Sequence, residues 1–153
     1  MISMCVHIFI TVILINFNKF GLSINEDDIE CCKKLNIDID YFRKWFDHKL
    51  VLPEYNSLVN KFAKCWFGRR HVITAEDVIN WTAYYEWINV TAYKGIDTEN
   101  LNKDDMNKRK DMIDDIIPKC KSVTNWTDLE NYRIIFYNCV AKQIYNIHNL
   151  DVN

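Results

Sequence analysis

The stretch Asn56 to Gly68, NSLVNKFAKCWFG, decides how this chain is read. Leu58, Phe62, Cys65 and Trp66 recur at helical spacing and predict one apolar stripe on a helix. Asn56 or Ser57 stands where a cap starts that helix, and Gly68 where a left-handed residue follows its end. Cys65 falls on the stripe. It is either a buried free thiol or a staple to another element, and the compartment decides which.

Working outward, 153 residues suffice for one domain with a core of its own. With only 3 Gly and 2 Pro, the chain has few helix breakers; its 8 Phe, 8 Tyr and 5 Trp predict a large buried or ligand-facing apolar surface. The net charge of -2 offers no electrostatic case for nucleic acid or an anionic membrane. The basic cluster Arg69-Arg70-His71 is short and reads as a solvated loop. Met4 to Ile15, MCVHIFITVILI, is too short to span a bilayer, which takes about 20 residues of helix. It suits a signal-peptide core, and Gly21-Leu22-Ser23 places cleavage after Ser23. Residues 1–23 are then a signal peptide and 24–153 a secreted, extracellular domain. Cys5 leaves with the signal. Cys31, Cys32, Cys65, Cys120 and Cys139 remain, and in an oxidising compartment disulfides are their default state.

The rest of the chain reads as helices. Ile24 to Leu35 carries Glu26, Asp27 and Asp28 in its first turn and Lys33 and Lys34 near its end, as the helix dipole favours. Ile29, Cys32 and Leu35 share a face, and Cys31 points about 100° away. Asp38 to Phe46 is a short helix capped by Asp38, with Phe42, Trp45 and Phe46 inward. Thr74-Ala75-Glu76-Asp77 resembles a capping box and predicts a helix to Asn89, with Val78, Trp81, Tyr85 and Ile88 on one face. Thr91 to Leu101 is a polar loop. Lys103 to Cys120 is a helix with Met106, Ile113, Ile116, Ile117 and Cys120 inward, its last turn bent or loosened by Pro118. Thr127-Asp128-Leu129-Glu130 is a capping box that opens the last helix, with Leu129, Tyr132, Phe136, Cys139 and Val140 facing in. The fold class is all-α, a six-helix compact domain.

No enzyme chemistry is predicted. There is no Gly-rich phosphate loop and no nucleophile elbow. Adjacent Cys31 and Cys32 lack the C-x-x-C spacing of redox or zinc sites, and His48, His71 and His148 are dispersed, so no metal and no cofactor is expected. Of three N-x-[ST] triplets, Asn89 and Asn125 lie at or near helix ends and are the glycosylation candidates. Asn80 falls inside a predicted helix.

These residues together resemble the insect odorant-binding proteins over roughly Asn25 to His148. Cys32-Lys33-Lys34-Leu35-Asn36-Ile37-Asp38 is similar to that family's first-cysteine segment. Lys61-Phe62-Ala63-Lys64-Cys65-Trp66 is similar to its second-to-third cysteine segment, with Lys61 in place of the second. Cys120 and Cys139 match the fourth and sixth, and Glu130 stands where the fifth belongs. The two missing cysteines are bridge partners, the pattern of the four-cysteine Minus-C subgroup. The resemblance implies disulfides Cys32–Cys65 and Cys120–Cys139, the choice of Cys32 resting on its helical face. Cys31 is then a free thiol or the link of a homodimer. It also implies that Lys61 and Glu130 stand close together. Three features depart from the family: a long Cys65-to-Cys120 interval, the extra Cys31, and a glycine-rich turn reduced to Gly68.

What the resemblance implies for function is a secreted carrier of odorants, pheromones, fatty acids or similar small hydrophobic ligands in an internal hydrophobic cavity, serving transport and olfaction through an olfactory receptor. The ligand-binding candidates are Phe42, Phe62, Trp66, Val78, Trp81, Tyr85, Ile113, Ile116, Phe136 and Val140. Tyr85 or Tyr132 would supply a hydrogen bond to the ligand. The alternative is a secreted interaction protein of the same fold, a salivary or venom component. Trp87, Trp126 and Cys31 would then mark a contact surface. A secreted hydrolase comes third, with no site to name.

Overall fold

The computed structural model describes residues 24–150; residues 1–23, read above as a signal peptide and including Cys5, lie outside the described residues. Six helices follow in order: α1 Glu26–Leu35, α2 Ile39–Arg43, α3 Ser57–Arg69, α4 Trp81–Tyr93, α5 Lys103–Val123 and α6 Tyr132–His148. Helix α6 packs against α3, α4 and α5, while α1 packs against α3 and α2.

Local chemistry sets most boundaries. Asn25 and Asp28 form a reciprocal capping box at α1, and Asn36, in the left-handed region, ends it. Asp38 caps α2, accepting from the backbone N–H groups of Asp40 (3.0 Å) and Tyr41 (2.9 Å). That helix stops at Arg43, short of the expected Phe46, yet Phe42, Trp45 and Phe46 still turn inward. Asn56 caps α3 as expected, accepting from Leu58 and Val59. Gly68 lies inside α3, and the left-handed residue beyond it is His71 (φ 56°). Helix α5 runs through Pro118 to Val123. The Thr124 hydroxyl then donates to the Cys120 carbonyl (2.7 Å) and the Trp126 indole to the Lys121 carbonyl (3.0 Å), so the freed carbonyls find partners.

Two predicted helix starts are corrected. Thr74 does not cap α4. The Thr74 N–H donates to the Val78 carbonyl (2.8 Å), the Asn80 N–H donates to the Val72 carbonyl (2.8 Å), and Asp77 takes φ 61°. Residues 72–80 thus fold into a tight turn closed by an Ile73–Ile79 bridge, and Asn80 caps α4 by accepting from the Ala83 N–H. Thr127 does not open α6 either. In the turn before it, the Asn131 N–H donates to the Asp128 side chain, and Leu129 is 75% exposed rather than inward.

The cysteine assignment is also corrected. The bridges are Cys31–Cys65 and Cys120–Cys139, and Cys32 is the free thiol. Both Cys31 and Cys32 are buried while Ile29 is exposed, so the apolar face of α1 is centred one residue earlier than its periodicity suggests. Cys32 is therefore in no position to link two chains. Burial pushes its thiol up to about 11. No ion pair joins Lys61 to Glu130, but their neighbours meet, Asn60 donating to the Asn131 side-chain oxygen at 2.8 Å.

The sequence reading also missed Asn138, fully buried on α6. Its side chain accepts from the Leu52 N–H (2.8 Å) and donates to the Leu52 carbonyl (2.9 Å) and to Glu54 (3.0 Å). The loop between α2 and α3 is thereby pinned to the last helix, with its buried polar groups satisfied.

Two expectations follow from this packing. Peptide mapping of unreduced protein should join Cys31 to Cys65. Cys31→Ser should lower stability by about 2–4 kcal/mol, while Cys32→Ala keeps the bridge; a Cys32–Cys65 peptide would contradict the assignment. Asp77 accepts from Lys64 (3.0 Å) and pairs with Arg133 (3.0 Å), and these hold its carboxyl below the usual 3.8. A depressed folded pKa contributes stability above the unfolded value that is lost as pH falls through the folded one. Asp77→Asn should cost about 0–1 kcal/mol at pH 7, and progressively less as pH falls below the ordinary carboxylate range, by urea titration at each pH.

Candidate ligand site

Aromatic side chains gather in two groups. In the first, Phe42 of α2 lies against Phe62 of α3 with ring centroids 4.6 Å apart, flanked by Trp45 and Phe46. The second is larger and joins α3, α4 and α6. Tyr84 stands in its middle, with ring centroids at 5.0 Å from Phe136, 5.5 Å from Trp87 and 5.8 Å from Phe67. Trp66 meets Trp87 edge-on at 5.5 Å, and Trp81 meets Phe136 at 5.6 Å. Edge-to-face geometry dominates, as the ring quadrupoles favour.

The group runs from the core to the surface. Phe67, Tyr84 and Phe136 are buried, while Trp66, Trp81, Trp87 and Tyr137 are half-buried against them. Trp126, from the turn before α6, meets Trp81 edge-on and lies tilted against Tyr132. Cations border the group: the Arg70 guanidinium lies over Trp66 at 5.0 Å and the Lys121 ammonium over Trp81 at 3.6 Å. Arg70 is also within 2.9 Å of the Asp27 carboxylate.

The ten candidates divide unevenly. Phe42, Phe62, Ile113, Ile116, Phe136 and Val140 are buried in the core. Trp66 and Trp81 sit half-buried at its margin. Phe42 and Phe62 belong to the first aromatic group, Trp66, Trp81 and Phe136 to the second. Val78 and Tyr85 are not in the interior, with exposures of 60% and 36%. The cause is the late start of α4. Val78 is stranded in the turn, and the buried line of α4 becomes Tyr84, Ile88 and Ala92. Tyr85 faces α5, where its hydroxyl donates to Asp114 at 2.6 Å. Tyr132 is buried and packs against Trp126.

Sequence reasoning missed Phe67, Tyr84 and Tyr137. Each stands next to an apolar or aromatic residue that was taken instead or fits the stripe as well. The i, i+4, i+8 spacing of Tyr84, Ile88 and Ala92 was the available signal.

Elsewhere the surface offers a shallow polar cleft of about 380 Å³ between α1 and α3, lined by Glu30, Lys34, Cys65, Gly68 and Arg69. Among the described residues no three His, Cys, Asp or Glu side chains gather as metal ligands, and no helix is long and apolar enough to cross a membrane. Asn89 lies exposed on α4. Asn125 lies exposed in the turn before α6, its side-chain oxygen accepting from the Thr127 hydroxyl at 2.7 Å. Asn80 is exposed as the α4 cap and not inside the helix. No family model, curated protein or solved structure matches the chain.

The inward and outward assignments are directly testable by urea unfolding. Phe136→Ala should cost about 3–5 kcal/mol, as for a large buried ring, whereas Tyr85→Phe should stay within about 0.5 kcal/mol.

Proposed function

We propose that the protein is an extracellular carrier of small hydrophobic molecules. The observation that carries this reading is the aromatic group of α3, α4 and α6, which is continuous from buried Phe136 to the half-exposed rings of Trp66, Trp81 and Trp87. A hydrocarbon that slides between such rings leaves water for apolar contact, worth about 25 cal/mol per Å² removed from water. A few hundred Å² then supports micromolar binding after the entropic cost of association. Two disulfides tie α1 to α3 and α5 to α6, so the frame around the rings stays closed while side chains move. Their pattern suits first-to-third and fourth-to-sixth pairing, with Cys31 as the first cysteine of the odorant-binding-protein resemblance. The Asn60–Asn131 hydrogen bond lies one residue from each of the positions given to the absent bridge. Delivery to an olfactory receptor is the further step that the resemblance suggests.

Displacement of a fluorescent naphthylamine probe by long-chain alcohols, aldehydes and fatty acids tests the reading. The probe should bind with micromolar affinity. Trp66→Phe and Trp81→Phe should reorder the competitors, and Lys103→Ala should leave the order unchanged. A probe that does not bind, or binds the tryptophan variants with the same ranking, would refute it.

A second reading, an extracellular protein that acts on another protein, draws on the turn between α5 and α6. Val123, Trp126 and Leu129 expose apolar surface along one short segment. Under that reading Val123→Ser with Leu129→Ser abolishes the biological effect while probe binding persists.

A further inference from the structure

The Tyr84 hydroxyl is buried and has no hydrogen-bond partner, and the residue keeps only 2% of its surface. Such a group has given up hydration for nothing in return, and in a native structure it calls for an explanation. Its surroundings explain why no partner is found. Phe67 and Phe136 carry no polar side-chain atom, and the indoles of Trp81 and Trp87 are donors only. Among these four rings the Tyr84 hydroxyl therefore meets no side-chain acceptor. Burial, with the neighbouring Tyr137 phenol as a lesser cause, pushes Tyr84 well above the usual phenol value of 10, so the hydroxyl stays protonated.

We propose that the Tyr84 hydroxyl is the anchoring donor for an uncharged carbonyl oxygen on the ligand, an aldehyde, ketone or ester whose hydrocarbon lies among Trp66, Trp81 and Trp87. This deepens the carrier reading and rests on it. The half-buried tryptophans supply the path inward, and Tyr84 supplies the end point. A carboxylate fits less well. It would be desolvated where Arg70 is already engaged by Asp27, and Lys121 is an exposed side chain over Trp81.

The test uses the disulfide-intact chain and the naphthylamine probe with three competitors of one chain length: 2-dodecanone, 1-dodecene and dodecanoate. In the wild type the ketone should bind about five- to tenfold more tightly than the alkene, the factor one net hydrogen bond provides. Tyr84→Phe should erase that advantage while alkene affinity is unchanged. The variant removes only an unpartnered oxygen, so its urea midpoint should hold or rise, and Tyr85→Phe should change nothing. The infrared C=O stretch of carbonyl-¹³C ketone should lie lower in frequency on the wild type than on Tyr84→Phe. A ketone preference or a lowered stretch that survives in Tyr84→Phe overturns the inference and leaves the carrier reading intact. So does dodecanoate binding more tightly than the ketone. Failure of all three to displace the probe from the wild type, or of the probe to bind, overturns the carrier reading and this inference with it.

Discussion

Helix α6 is apolar almost all round, and the architecture answers that constraint. Tyr132, Ile134, Phe136, Val140, Ala141, Ile144 and Ile147 are buried along it and point in too many directions for one partner helix to cover. Three helices, α3, α4 and α5, therefore close around it. Two buried polar side chains tie it to its surroundings. Asn138 trades hydrogen bonds with the backbone of Leu52, and buried Arg109 of α5 donates to the Ile147 carbonyl near its C-terminal end, where a cation is favoured. The Cys120–Cys139 bridge then locks α5 to α6.

Aromatic rings do much of the filling, and the proposed carrier role rests on that packing. Aliphatic cores interlock at close-packed density and leave little room for a guest. Flat rings meeting edge to face can turn by modest rotation and still keep contact. Tyr84, Trp87 and Phe136 meet in this way, with interplanar angles of 85° and 87°. The same group holds a hydroxyl without a partner and opens at three tryptophans.

Three of the differences between sequence and structure share one form: a displacement by a single residue. Cys31 replaces Cys32, Tyr84 replaces Tyr85, and Asn60 meets Asn131 where Lys61 was set against Glu130. One residue is 100° of helix, and where neighbours are equally apolar or equally reactive the stripe is wide enough to admit either. The capping-box errors arise differently. Thr74 starts a local side-chain turn and Thr127 closes one that Asn125 starts, and Ser, Thr, Asn and Asp stabilise such turns with the same hydrogen bonds that cap helices.

The sequence by itself determined the six-helix order, the cap at Asp38, a cap at Asn56 or Ser57, the Cys120–Cys139 partnership through resemblance, and most of the buried residues. These follow from periodicity and composition, which act over a few neighbours. Tertiary structure alone decided which of two adjacent cysteines bridges, that Val78 and Tyr85 lie outside, that Asn138 is inside, and that Tyr84 stands unpartnered among rings. Each depends on how α1, α4 and α6 rotate about their own axes. That rotation is set by the partners that pack against each face, and those partners lie up to 86 residues away along the chain.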